Sequence, residues 1–168
     1  MQLQEISSTS HVKPAKAIHS VRLVTEADIP QLLALARAVH AEGGVMPFSE
    51  RRALGCVWQA IKQDRAIGAC IGPVGAIEAV IFLLIGQYYY TDYQHLEECF
   101  LYVAPEFRRS DRAKRLLQYA KKASDTLHVP LLIGVLSQKK TEAKIRLYQR
   151  QLGKPAGAYF LYNGKTGA

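Results

Sequence analysis

From Ala66 to Gly86 the chain runs 21 residues with one charge, Glu78, and this stretch limits the fold more than any other. Its length would permit a membrane helix. Glu78 falls near the middle, where a carboxylate costs about 2.5–3.5 kcal/mol in the bilayer. Gly72-Pro73-Val74-Gly75 also cuts the run into two pieces of strand length, and such a tetrapeptide between apolar runs reads as a turn. Two adjacent buried strands, Ala66 to Ile71 and Ala76 to Tyr90, are therefore expected, and a membrane is not.

The flanking periodicities extend this nucleus. Val21 to Thr25 reads as a short strand. Asp28 can cap a helix with Pro30 in its first turn, after which Ile29, Leu32, Leu33, Ala36 and Val39 share a face. Glu42-Gly43-Gly44 ends that helix, and Ser49 caps a second one striped by Ala53, Leu54, Val57, Trp58 and Ile61. Beyond a turn near Thr91-Asp92, Leu96 to Val103 forms a third long strand that Pro105 breaks. After Arg108 the period changes from two to 3.6, with Ala113, Leu116, Leu117, Ala120, Ser124 and Leu127 on one side of a helix. Leu131 to Leu136 reads as a buried strand, Thr141 to Leu152 as a second basic helix, and Ala158 to Tyr162 as a closing strand. The order is β-α-α-β-β-β-α-β-α-β, an α/β (α+β) arrangement. At 168 residues and 18.7 kDa, positions 20–168 make one domain. Residues 1–19 are a polar extension without an apolar core of the kind a secretory signal needs.

Charge is unevenly placed. Between Ala104 and Lys154 there are 13 Lys/Arg and 4 Asp/Glu, a net of +9, whereas the rest of the chain sums to −1. A polyanionic ligand is implied, with solvated basic helices as the plain alternative. Cys56, Cys70 and Cys99 fit neither a disulfide framework nor a zinc site, which points to a reducing, cytoplasmic setting and to three small buried hydrophobes. His11, His19, His95 and His128 lack metal spacing, so no metal is expected.

The most informative junction is the strand ending at Val103, the loop 104–110 and the following helix. Such a unit aims the unpaired N–H groups and positive end of a helix at one spot. Arg108, Arg109 and Arg112 reinforce it, and a diphosphate is the natural occupant. Equally, Arg108 and Arg109 decorate an exposed loop.

The run Leu101-Tyr102-Val103-Ala104-Pro105-Glu106-Phe107-Arg108-Arg109-Ser110-Asp111-Arg112-Ala113, followed by Leu116-Leu117, resembles the acetyl-CoA motif of the GNAT N-acetyltransferase superfamily. Ile145-Arg146-Leu147-Tyr148 with Leu152-Gly153 is similar to its second signature. Asp111 stands where the first motif has its middle glycine, and Thr141 and Lys144 replace the second signature's asparagine and alanine. The resemblance implies a mixed, mostly antiparallel central sheet with helices on both faces. It also implies acetyl-CoA as cosubstrate, in a splay between strands 96–103 and 131–136. The acetyl carbonyl would lie near the backbone of Leu101, Tyr102 and Val103, and the pyrophosphate on the amides of Arg108, Arg109, Ser110, Asp111, Arg112 and Ala113.

An acceptor amine is protonated at neutral pH and needs a base. The resemblance points to Glu97, with Glu98 on the opposite face of the strand; both as plain surface carboxylates is the alternative. Tyr148 matches the family's tyrosine that protonates the departing thiolate, with core packing beside Ile145 and Leu152 as its alternative. Tyr88, Tyr89, Tyr90 and Tyr93 flank the turn before Glu97, and in a tight hairpin Tyr88 would pair across from Glu97. The expected function is acetyl transfer to a primary amine, on a small molecule or a protein, with a homodimer allowed. The competing readings are an inactive binding module of the same fold and a basic nucleic-acid-binding protein. The latter lacks any recognisable nucleic-acid motif.

Overall fold

The computed structural model describes residues 20–137 and 139–162. Strands β1 (Val21–Leu23), β2 (Ala66–Ile71), β3 (Ala79–Gln87), β4 (Gln94–Val103) and β5 (Leu131–Leu132) form one sheet in chain order. Neighbours from β1 to β4 are antiparallel, and β5 runs parallel to β4. Helices α1 (Ile29–Gly43) and α2 (Glu50–Lys62) cover one face, and α3 (Arg112–Leu127) covers the other. Helix α4 (Thr141–Leu152) lies beside α3, where Lys121 Nζ donates to the Gln151 carbonyl at 3.4 Å.

The apolar run is the centre of the molecule. Val80 and Phe82 pack with Leu32, Val57 and Ala60 on the α1/α2 face, while Ile81 and Leu83 pack with Leu116 and Ala120 on the α3 face. Burial on both faces is why β3 shows no polar alternation. Its single charge is neutralised: Arg112, first residue of α3, donates from Nε to Glu78 Oε2 at 2.6 Å. At the turn between β2 and β3, Gly72 holds φ +113°, and a Cβ there would run into the Ala76 carbonyl. Only glycine fits.

Asp28 does a different job from the expected one. It occupies the cap position of α1 without a capping bond. Its carboxylate instead takes two 2.8 Å bonds from Arg22 and one at 2.9 Å from the Thr25 backbone N–H, locking β1 to α1. These donors, Arg22 foremost, hold the buried carboxyl below the usual range.

Several boundaries differ from expectation. β1 stops at Leu23 rather than Thr25. β3 starts at Ala79, because Ala76 N–H and Glu78 N–H bond to the Pro73 and Ile71 carbonyls (3.1 and 2.8 Å) and close the turn. It ends at Gln87, since residues 88–93 form the connection to β4. β5 is two residues instead of six, as β4 pairs with it only at Leu96–Leu131 and Glu97–Leu132. Ala158 to Tyr162 forms no strand: it has no ladder partner among the described residues, and Tyr159, Phe160 and Tyr162 are exposed. Cys70 is buried and Cys56 half-buried, but Cys99 is exposed. The extension 1–19, with His11 and His19, lies outside the described residues. Among the described residues no helix is long and apolar enough to cross a membrane, and no cluster of three or more His/Cys/Asp/Glu could hold a metal.

Candidate active site

One surplus residue shapes the site. β4 pairs Phe100 with Phe82 and Glu98 with Leu83, so Cys99 has no partner on β3. Such a bulge bends a strand and interrupts its ladder. Here Cys99 and Phe100 fall on one face: Cys99 Sγ lies 4.0 Å from Cys56 Sγ of α2, and Phe100 stacks on Phe82 at 5.1 Å. Just before the bulge, pairing between β4 and β5 stops at Glu97–Leu132. Beyond that point, among the described residues, the edge of β4 away from β3 has no strand beside it from Glu98 to Val103, and β4 and β5 part there.

The two adjacent glutamates face opposite ways, as a two-residue period requires. Glu97 lies opposite Leu84, on the α1/α2 side. Its side chain is 56% exposed, and its Oε2 is 3.8 Å from Nε2 of buried His95. Glu98 lies opposite Leu83 on the α3 side. There the Tyr148 hydroxyl of α4 donates to it, at 3.2 Å from Oε1 and 3.3 Å from Oε2. Burial pushes the Glu98 carboxyl up to about 7, against the opposing pull of Tyr148, Lys144 and the Leu101 backbone N–H. Burial and the Glu98 charge likewise hold the Tyr148 proton far more tightly than a free phenol holds its own. The structure thus joins Tyr148 to Glu98 and leaves Glu97 with His95. Tyr148 is no simple core residue, because Ile145 and Leu152 beside it are exposed.

At the far end of β4, Ala104 N–H bonds to the Glu78 carbonyl at 2.9 Å, and Pro105–Phe107 makes a single 3-10 turn. The arginines that follow have separate fates. Arg108 donates to Glu42 Oε1 at 2.5 Å and to the Val103 carbonyl at 3.0 Å, and the Tyr102 hydroxyl meets the same Glu42 oxygen at 2.9 Å. Burial opposes the Glu42 charge, but these donors outweigh it and lower its pKa. Arg112 is committed to Glu78 and lies 4.5 Å from the Phe107 ring centroid. Arg109 is exposed. The expectation that all three guanidinium groups reinforce an anion site is therefore corrected for Arg108 and Arg112, whose charges are met by protein carboxylates.

Backbone amides remain. Ser110 Oγ donates to the Phe107 carbonyl at 2.5 Å and accepts from Arg112 N–H at 3.4 Å. Asp111 occupies the cap position with φ −84° and no capping bond from its side chain, so this backbone does not require glycine. The first helical bond runs from Arg115 N–H to the Asp111 carbonyl, which leaves the N–H groups of Ala113 and Lys114 without partners inside the helix. Leu101 and Val103 pack toward α3 and Tyr102 toward α1, so these side chains lie on the faces of β4 and its backbone edge is turned to the gap left by β5.

A bent fourth strand that leaves its parallel neighbour, then a tight turn into an amphipathic helix, is a recognisable arrangement. Residues 31–153 match the model of the acetyltransferase (GNAT) family. The chain belongs to that family. No curated protein matches it in sequence. Among solved structures, AAC(6')-Iy in complex with the bisubstrate analogue CoA-S-monomethyl-acetylneamine is similar at TM-score 0.69 and 12% identity, over 89% of this chain and 100% of that one. Aminoglycoside 6'-N-acetyltransferase AAC(6')-IG from Acinetobacter haemolyticus gives 0.63 and 17%, over 89% and 99%. An integron cassette protein from the mobile metagenome of Cole Harbour Salt Marsh gives 0.65 and 19%, over 89% and 92%. At these identities the likeness is one of fold.

The GNAT domain also contains partners that sequence reasoning did not find. Glu42 as the anchor of Arg108, and Glu78 as that of Arg112, are separated from them by 66 and 34 positions, and no local pattern announces either pairing. Tyr88 does not pair across from Glu97; it stacks on His95 at 4.8 Å, because Glu97 faces Leu84. His40 is occupied structurally, with Nε2 2.5 Å from the Met46 carbonyl.

Proposed function

We propose that this GNAT domain transfers an acetyl group from acetyl-CoA to a primary amine. The observation that carries the reading is the Tyr148–Glu98 contact, placed where β4 and β5 part. The unpaired edge of β4 and the amides between Arg109 and Lys114 suit a cosubstrate with an amide-bearing arm and a diphosphate, the second lying at the start of a 16-residue helix. Acetyl-CoA supplies an activated thioester there.

Glu97, exposed and on the α1/α2 side, takes a proton from the acceptor ammonium, directly or through water, and frees its lone pair. Tyr148 gives its proton to the departing thiolate. Glu98 holds the Tyr148 hydroxyl in place and, when protonated, returns a proton to it. Acyl transfer forms one C–N bond and breaks one C–S bond. Of the two protons the ammonium gives up, one replaces that delivered to sulfur and the other goes to solvent.

A second reading, a module of the same fold that binds without catalysis, is favoured by the commitment of Arg108 and Arg112 to Glu42 and Glu78. Calorimetric titration with acetyl-CoA, followed by a free-thiol assay over an amine panel, separates the two. Saturable binding with amine-dependent thiol release supports the enzyme. Binding without thiol release for any amine supports the module.

A further inference from the structure

Between the helices and the bulge lies a cavity of about 200 Å³. Val39 of α1, Phe48 of the following loop, Ala53 and Cys56 of α2, and Cys99 and Phe100 of β4 contribute to its wall. No lining side chain carries nitrogen or oxygen. Cys99 in its wall is exposed, and the cavity lies on the same face of β4 as Glu97.

We infer that this cavity receives the body of the acceptor, and that the acceptor is a monoamine with a compact apolar group rather than a polycation; this rests on the acetyltransferase reading above. Size agrees, since a cavity of about 150 Å³ takes up a benzene-sized ligand. Charge agrees as well. An ammonium buried against such a wall without a partner is strongly disfavoured by desolvation. One carboxylate, Glu97, stands near for one ammonium. Glu42 and Glu50, the acidic residues of α1 and α2, are already paired with Arg108 and Arg37. A ligand with three or four ammonium groups would find no further carboxylate in the cavity wall to meet the rest.

The cavity also contains its own reporters. Cys56 and Cys99 lie in its wall, and Cys70 is buried elsewhere as an internal reference. The test uses the full-length protein in three parts. Calorimetry with acetyl-CoA comes first. Initial rates of thiol release are then compared for 2-phenylethylamine, spermidine and kanamycin, in the wild type and in Ala53→Leu, which fills the cavity. Finally, N-ethylmaleimide labelling of Cys56 and Cys99 is followed by mass spectrometry at saturating desulfo-CoA, with and without 2-phenylethylamine.

The expected result is a kcat/KM for 2-phenylethylamine about tenfold or more above either polycation, and a comparable loss in Ala53→Leu carried by KM, with acetyl-CoA affinity unchanged. Labelling of both thiols should slow about tenfold at ten times the amine's Kd. This last measurement needs no variant to fold. Turnover confined to the polycations, or labelling indifferent to 2-phenylethylamine, overturns the inference while acetyl-CoA binding preserves the acetyltransferase reading. Absence of acetyl-CoA binding overturns both.

Discussion

Tyr148 reaches across fifty positions of sequence to place its hydroxyl 3.2 Å from Oε1 of Glu98, at the point where two parallel strands separate. Replacing Tyr148 by Phe removes the hydroxyl proposed as proton donor and keeps the ring. A positioned general acid is worth about 10²-fold or more. In Tyr148→Phe, kcat for the amine accepted best should fall by about that factor with acetyl-CoA affinity unchanged by calorimetry. An unchanged kcat removes Tyr148 from the mechanism.

Glu98 makes stability depend on pH in a defined direction. Its carboxyl moves from an ordinary 4.5 up to about 7 on burial. Below about 4.5 folded and unfolded chains both hold the proton, and the stabilisation of the neutral form is fully present. Between about 4.5 and 7 the folded chain keeps a proton that the unfolded chain has released, so stability falls as pH rises through this window, by on the order of 3 kcal/mol. Urea unfolding at about pH 4 and about pH 8 should show that loss in the wild type and a smaller one in Glu98→Gln. Equal losses in both proteins would mean that Glu98 is not the titrating group.

Arg108 acts through Glu42 in this structure rather than by presenting a free cation. Arg108→Ala and Glu42→Gln should each weaken acetyl-CoA binding by loosening the turn before α3. The double variant should be no worse than the weaker binder of the two, since both break one contact. Additive losses in calorimetric affinity would instead assign Arg108 a direct contact with the ligand.

The Arg112–Glu78 pair is nearly buried, with side chains 11% and 10% exposed. Breaking such a buried pair costs about 3–5 kcal/mol. Arg112→Ala should therefore lower stability by roughly that amount in denaturant titration. A double replacement by apolar residues of similar volume should recover much of it. A near-neutral Arg112→Ala would show that water or another group meets the Glu78 charge.

The sheet core and its helices were legible because their signals are local. Leu116, Leu117 and Ala120 lie at helical spacing and are fully buried, and the run through β2 and β3 contains the turn that divides it. What escaped depends on long-range pairing. Tyr159 and Leu161 alternate as a strand would, yet a strand needs a partner to bond, and Ala158 to Tyr162 finds none among the described residues. In the site, the opposite facing of Glu97 and Glu98 could be read from the strand's period. Which of them meets Tyr148 could not, because that depends on where α4 docks. The ties from Arg108 to Glu42 and from Arg112 to Glu78 likewise exist only once the elements have packed.

Cys99 shifts the phase of its strand. Glu97 and Tyr102 are five positions apart, an odd separation that would set them on opposite faces of a regular strand, yet both face α1 and α2. Deleting Cys99 would restore unbroken parity, with Phe100 following Glu98 in step and every neighbour still on its own side. The ladder with β3 would gain regularity, and the strand would lose the bend beside which β5 falls away. The sheet forgoes one rung of hydrogen bonding at Cys99, and on the acetyltransferase reading proposed above a shorter, straighter β4 would give a sounder sheet with no splay to take a cosubstrate.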